Sequence, residues 1–254
     1  HLPPMNVKEI GERFGDRFGS TIAHPQFFAK REAQIGRRLA VHYATGIVLD
    51  IGPGRAPYRE ALLTKKSVKQ YLTLDHPQAA KFYRAQFPLD YTGDVSEKLP
   101  LRSASIDTVI LLMVLEHVPN PQQALAQIAR VLRPGGVLIA STIQTYPLHD
   151  APYDYFRYTE FALRVLVKKA GLKMRSIQSR GNFATTITVL VNVQIFQTLK
   201  YLFRSPLGLP LAILVAPLAW LLSIAFNLAG LIFGLFDPIK HLRHSHVIVA
   251  YKAR

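Results

Sequence analysis

The chain has 254 residues, no cysteine and a formal net charge of +15, with 49% hydrophobic and 19% charged residues. That length admits one α/β domain of about 200 residues plus an appendage, and the missing thiols exclude disulfides, thiolate-bound zinc and a cysteine nucleophile. The charge points to a polyanionic partner, nucleic acid or an anionic lipid surface, without choosing between them.

Basic residues are spread along the chain, 25 against 15 acidic ones up to Arg180 and 6 against 1 beyond it, so no basic tail carries the charge. Residues 1–4 precede Met5 and carry no expectation about the fold. With no secretory signal recognisable after them, a cytoplasmic location is expected. Residues 27–43 read as an amphipathic helix with Phe27, Phe28, Ile35 and Leu39 on its apolar side and Gly46 as the breaker beyond it. From Ile47 apolar runs and amphipathic stretches alternate. Strands are expected at 47–51, 70–75, 106–114, 137–141 and 173–180, and helices at 57–64, 79–87, 121–131 and 160–170. Pro57 and Pro121 suit first-turn positions, Thr159 suits an N-cap, and Arg133 to Gly136, "RPGG", reads as a turn between helix and strand. This alternation implies a parallel sheet with helices on both faces.

Two uncharged runs then follow, of 19 residues between Arg180 and Lys200 and of 32 between Arg204 and Asp237, before a last short strand at 245–252. The expected organisation is an N-terminal helical segment at 5–45, a core at 46–181, an apolar helical insertion at 182–240 and the final core strand at 241–254.

"VLDIGPGRAPYRE" places Asp50, Gly52, Pro53 and Gly54 where a strand gives way to a helix. Glycines there permit a tight turn and close backbone approach to a ligand, and the free N–H groups of the next helix favour electron-rich atoms. Pro57, three residues after Gly54, has no N–H to offer a pyrophosphate, which disfavours a dinucleotide. Asp75 closes the next strand in "YLTLD", a position suited to the two hydroxyls of a ribose.

The ordered blocks "LDIGPG", "LTLD", "GDV…LPL…SIDTVILLMVLEHV" and "RVLRPGG" resemble the class I, Rossmann-like S-adenosylmethionine-dependent methyltransferases of the small-molecule type, across roughly residues 45–180 and again at the final strand. The resemblance implies a doubly wound, seven-stranded, mostly parallel sheet with helices on both faces, interrupted by the apolar helical insertion before the last strand. It also implies S-adenosylmethionine as cofactor and S-adenosylhomocysteine as product. Asp50, Gly52, Pro53 and Gly54 would cradle the methionine part, Asp75 the ribose, Asp94 and Val95 the adenine, and Met113 and Glu116 would line the reaction centre. The family often has a third glycine in the first loop, where this chain has Ala56 and Pro57. Asp94 and Asp107 also suit turns, the preferred reading for Asp107.

The stretch "YPLHDAPYDYFRYT" after the fifth strand concentrates polar and aromatic groups at the sheet's carboxyl edge, and similar segments occur in methyltransferases of this broad group. Alignment of an acceptor contributes about 7 to 11 kcal/mol to such a transfer, and a general base roughly 3 to 5 kcal/mol. His149 is the first candidate base, followed by Asp150 and His117, with Tyr153 in the same loop. A structural role is a close alternative: tyrosines against the sheet edge, and Arg157 paired with Asp154. No metal constellation is expected, because no helical motif joins two histidines to a carboxylate.

Residues 207–236 are long enough to cross a bilayer, yet the chain must return if residues 247–251 close the same sheet. A hairpin of 182–199 and 210–236 would carry Lys200 and Arg204 to the far side, against the positive-inside tendency. Pro206, Gly208, Pro210 and Pro217 are expected to break the run into shorter helices. The expectation is a monotopic or re-entrant element at the cytoplasmic face, with Lys200, Arg204, Lys240 and Arg243 near anionic headgroups. Trp220 suits either an interfacial anchor or a buried position. The acceptor would be lipophilic or lipid-linked: a phospholipid, an isoprenoid quinone or a sugar on a polyprenyl carrier. A helical lid or an oligomer interface is the competing reading of the insertion. An RNA methyltransferase, disfavoured by the lack of a basic stripe interleaved with aromatics, and a non-catalytic membrane scaffold are the competing functions.

Overall fold

A computed structural model describes residues 21–77, 88–237 and 241–254. The helix expected at 79–87, Lys240 and the whole segment before residue 21 lie outside the described residues. In chain order the elements are α1 (Phe27–Tyr43), β1 (Gly46–Ile51), α2 (Arg59–Leu63), β2 (Val68–Asp75), β3 (Tyr91–Thr92), β4 (Ile106–Leu112) and a 3₁₀ turn (Leu115–His117). There follow α3 (Pro121–Val131), β5 (Leu132–Ile143), α4 (Glu160–Lys169), β6 (Leu172–Arg180), α5 (Phe183–Arg204), α6 (Leu209–Leu235) and β7 (Ser245–Lys252). The chain divides into two compact units. Of the described residues, one holds those of Gln34–Gln144, Leu148–Arg180 and Ser245–Arg254; the other holds 21–33, Thr145–Pro147 and those of Gly181–His244.

The first unit is built on a seven-stranded sheet in the order β3-β2-β1-β4-β5-β7-β6, with β7 antiparallel to both its neighbours and the other pairs parallel. This is the expected doubly wound arrangement. Alternation along β1 sends Leu49 and Ile51 into one buried cluster, with Leu74, Val109, Leu125 and Leu163, and Val48 into another, with Ala40, Tyr58, Leu62, Tyr71 and Ile110. Both faces of the central strands are therefore covered, as a parallel sheet requires. Strand order reverses between β1 and β4, which makes the crevice beyond their carboxyl ends the place where such a sheet binds ligands.

Local signals set several boundaries. Asn120 accepts a hydrogen bond from the Gln123 N–H with Pro121 in the first turn of α3, and Thr159 accepts one from the Ala162 N–H at the start of α4. Three expectations are corrected. Pro57 lies ahead of α2, whose N-cap position is Tyr58, so it ends the glycine loop and does not open the helix. The "RPGG" stretch is not a separate turn: it is an excursion inside β5, where Leu132 pairs with Ile106 and Val137 with Thr108, with Gly135 at φ 81°. Pro217 does not divide the apolar run, because α6 continues through it for 27 residues.

In the second unit α5 and α6 pack as a helical hairpin. Asn182 and Thr185 cap α5 reciprocally, and the Asn182 amide also donates to the Gly234 carbonyl at 2.8 Å. Phe27, Phe28, Val189 and Val193 form this unit's apolar cluster. The side chains buried on α6 are small or polar: Ala212, Ala219, Ser223, Asn227 and Gly230. Its large apolar residues face outward, with Leu214 76% exposed, Phe233 65% and Leu235 82%. Trp220 is 39% exposed while its indole N–H donates to the Ala23 carbonyl at 2.9 Å. By length and composition α6 is able to cross a membrane.

Candidate active site

The turn after β1 is held from below. Asp50 is fully buried, and its two carboxylate oxygens accept hydrogen bonds from the Tyr58 hydroxyl at 3.0 Å and the Tyr71 hydroxyl at 2.5 Å. Burial pushes its pKa up to about 7 against the opposing pull of the two tyrosines, and the nearby Asp75 adds to the rise. Asp50 thus fixes the loop through both tyrosines, partners that no sequence motif singles out. Gly52 stands at φ 66°, and a Cβ there would run into the Val114 side chain, so that side chain packs directly on the Gly52 backbone. Pro53 is buried, while a Cβ on Gly54 would meet nothing within 4 Å, which leaves that stretch of backbone open to a ligand. Ala56 adopts φ 42°, the left-handed conformation that a glycine would take more easily.

Asp75 ends β2 and is 7% exposed. The His76 N–H donates to its Oδ1 at 2.8 Å, and burial raises its pKa. Asp94 turns its carboxylate to Ser96, accepting from both the N–H and the hydroxyl at 2.7 Å, beside the buried Val95. Asp107 has the structural role preferred for it: it accepts from the Ile47 N–H at 2.7 Å and pairs with Arg133 at 2.8 Å.

Met113, just past β4, stands at φ 57°, a conformation that costs a side-chain-bearing residue roughly 1 to 2 kcal/mol. Its N–H is held by both the carbonyl and the hydroxyl of Ser141, and its side chain is 37% exposed at the switch point. Glu116 is fully buried. Its Oε2 accepts from Thr142 Oγ at 2.8 Å, its Oε1 has no hydrogen-bond partner, and burial raises its pKa. Its backbone carbonyl accepts from the N–H groups of Tyr155 and Phe156, which ties the 3₁₀ turn to the loop after β5.

That loop is anchored by Asp154. Its buried carboxylate takes a bidentate pair from Arg157 at 2.6 and 2.7 Å and an N–H from His149 at 3.0 Å. Burial works to raise the Asp154 pKa, but these donors outweigh it and bring it down to about 2. Tyr158 is buried and donates to the Leu115 carbonyl, whereas Tyr153 is 39% exposed. Of the candidate bases, His117 and His149 come together with ring centroids 4.8 Å apart, and Glu116 joins them. Asp150 is exposed at φ 52°. Among the described residues Glu116, His117 and His149 each offer a ligand atom within 4.8 Å of the other two, a grouping outside the helical motif sought in the sequence. A search for ligands on one helix misses it because the third comes from a different loop. Thr142 and Ser141, which hold Glu116 and Met113, carried no sequence signal beyond their place at the end of a strand.

Residues 49–140 match the family described as Methyltransferase domain. The chain is 31% identical over 168 residues to a probable S-adenosylmethionine-dependent methyltransferase of Mycolicibacterium smegmatis, covering 63% of this chain and 65% of that one. It is 31% identical over 105 residues to a ubiquinone biosynthesis O-methyltransferase of Saccharophagus degradans, covering 39% of this chain and 44% of that one. It therefore spans less than two thirds of the length of these curated relatives. The fold is similar to that of a solved S-adenosylmethionine-dependent methyltransferase from Archaeoglobus fulgidus, at 13% identity and a TM-score of 0.56 over 97% of this chain and 100% of that one. The match over residues 49–140, the sheet order and the glycine turn at the switch point agree: this stretch is similar to the S-adenosylmethionine-dependent methyltransferase domain.

Proposed function

We propose that the chain transfers a methyl group from S-adenosylmethionine to a lipophilic or lipid-linked acceptor at the cytoplasmic face of a membrane. The observation that carries the membrane half of this reading is the inverted polarity of the α5–α6 hairpin. Asn192, Ser223 and Asn227 are fully buried, whereas Leu211, Ile213, Leu214, Leu218, Leu221 and Phe233 are each at least 50% exposed. Water would select the opposite arrangement, and so large an apolar surface marks contact with lipid or with another protein. The hairpin leaves β6 at Arg180 and returns to β7 at Ser245, residues that pair with each other in the sheet. An even number of crossings, or a dip into one leaflet, follows from that connection.

The cofactor supplies an activated methyl group on its sulfonium, so the protein's task is to bind, align and exclude water. Gly52 and Gly54 fit the methionine part through their open backbone, and Asp75 fits the ribose as an acceptor fixed at the end of β2. Met113 and the loop from His149 to Tyr153 stand beyond the carboxyl ends of β4 and β5, where the acceptor would be placed. One relative is named for O-methylation in ubiquinone biosynthesis, which brings isoprenoid quinone precursors among the candidate acceptors.

Two measurements test this reading. The full chain should co-sediment with liposomes, more strongly when anionic lipid is present, and incubation with a membrane extract and radiolabelled cofactor should label an organic-soluble product. Asp75→Ala should abolish labelling without releasing the protein from liposomes. A monomer that stays in the supernatant without detergent overturns the membrane half; label that goes only to RNA overturns the acceptor.

A further inference from the structure

We infer that Glu116, His117 and His149 form a binding site for a divalent first-row transition-metal ion. One ligand atom from each lies within 4.8 Å of the other two. An ion held at about 2.0 to 2.2 Å by nitrogen and oxygen ligands brings such atoms to roughly 3 to 3.5 Å of one another, so the closure needed is at most about 2 Å.

Three independent features fit an ion better than a chance cluster. The first is the tautomeric state of both rings. His117 Nδ1 lies 2.8 Å from the Tyr153 carbonyl, which only accepts, so Nδ1 carries the proton and Nε2 the lone pair. His149 Nδ1 lies 3.1 Å from the carboxylate of Asp154, which orders that ring the same way. Imidazoles held through one nitrogen by a carbonyl or carboxylate, presenting the other, are the usual supporting arrangement of protein metal sites. The second is Glu116 Oε1, fully buried and without a hydrogen-bond partner, although Oε2 is held by Thr142. A buried carboxylate oxygen left unsatisfied is costly, and a cation is the partner that removes the cost. The third is the donor set itself: two imidazoles and one carboxylate, with no thiolate in the chain, select ions such as zinc, cobalt, manganese or iron(II) and leave a coordination position for an external ligand.

The site stands on groups from the 3₁₀ turn after β4 and the loop after β5, so metal binding is separable from cofactor binding by the glycine turn. The inference does not depend on which acceptor receives the methyl group. The test uses the full chain, purified in detergent, stripped with chelator and titrated with Co²⁺ while visible absorption is recorded. One saturable site is expected, displaced by Zn²⁺. His149→Gln and Glu116→Gln should each weaken Co²⁺ at least tenfold, and His42→Gln, on an exposed histidine elsewhere, should leave it unchanged. Glu116 is deeply buried; if Glu116→Gln does not fold, His149→Gln at the half-exposed position decides the matter. Absence of saturable binding in the parent chain, or equal affinity in parent and His149→Gln, overturns the site. Adenosylmethionine titration of the same samples reports separately on the methyltransferase reading.

Discussion

Asn192 donates its side-chain amide to the Oδ1 of Asn227 at 3.0 Å, joining α5 to α6 through two side chains with no exposure to solvent. The Asn227 amide goes on to the carbonyls of Ile22 at 2.9 Å and His24 at 3.0 Å. Removing Asn227 takes away every one of these contacts, whereas removing Asn192 takes away one and also eliminates an Oδ1 that has no hydrogen-bond partner. Asn227→Leu is therefore expected to destabilise the hairpin by about 1 to 3 kcal/mol, and Asn192→Leu by less. Thermal melts followed by circular dichroism in detergent check the order; equal losses would show that the network is not centred on Asn227.

Gly52 and Gly54 share a left-handed backbone and differ in what surrounds them. Gly52→Ala adds a Cβ against Val114 and is expected to lower stability by about 1 to 3 kcal/mol. Gly54→Ala meets no protein atom, so its stability loss should stay near the 1 kcal/mol typical of such a backbone, while its methyl group intrudes on the ligand side. Differential scanning fluorimetry paired with calorimetric titration of the cofactor should separate the two: the first variant melts early, and the second melts near the parent yet binds at least tenfold more weakly.

Asp50 gives a pH signature. Its carboxyl, ordinarily near 3.8, is raised in the fold to about 7, so the folded state holds the proton more tightly than the unfolded one. The stability this contributes is complete below pH 3.8, falls as pH rises and is gone above about 7, a difference of about 4 kcal/mol at 1.36 kcal/mol per unit. Asn at this position keeps a neutral group and can still engage both tyrosines. Asp50→Asn should match the parent at pH 4 and exceed it by a few kcal/mol at pH 8 in urea unfolding. His24 and His244, both brought down to about 4 by burial, weaken the fold in acid and do so equally in the two proteins. A stability difference that does not change with pH would mean that Asp50 stays ionised in the fold.

Arg157 and Asp154 make a forked pair around a buried carboxylate. Arg157→Leu leaves that carboxylate with the His149 donors alone and is expected to cost about 2 to 4 kcal/mol, with Arg157→Lys intermediate because it keeps the charge and loses the fork. Urea midpoints of the three proteins provide the check; a Leu variant as stable as the parent would show that the loop can rearrange around Asp154.

The sequence carried the fold wherever periodicity and caps acted together. The helix Phe27–Tyr43, the helix Pro121–Val131 with Pro121 at its start, and the strand Ser245–Lys252 were legible to the residue. Tyr91–Thr92 was not, because two residues carry no alternation. Proline and glycine misled in two places for one reason: their local preference was overridden by pairing of β5 with β4 around "RPGG", and by helix continuity through Pro217. The positions of Gly52 just past β1 and of Asp75 at the end of β2 were legible because chain order alone puts them at strand ends. The meeting of Glu116 and His117 with His149 was not, since it depends on how two loops fold over one another, and no local pattern records that.

The pairing of Arg180 with Ser245 has a consequence for how such a chain came to be assembled. Directly opposed residues in an antiparallel ladder sit about 5 Å apart, a gap that a two-residue turn spans. Gly181–His244 therefore occupies the place of an ordinary β-hairpin tip. Lengthening a tip costs little in chain entropy, since closure grows only with the logarithm of length. An oil-loving module can be gained or shed at this one rung without altering the register of any strand.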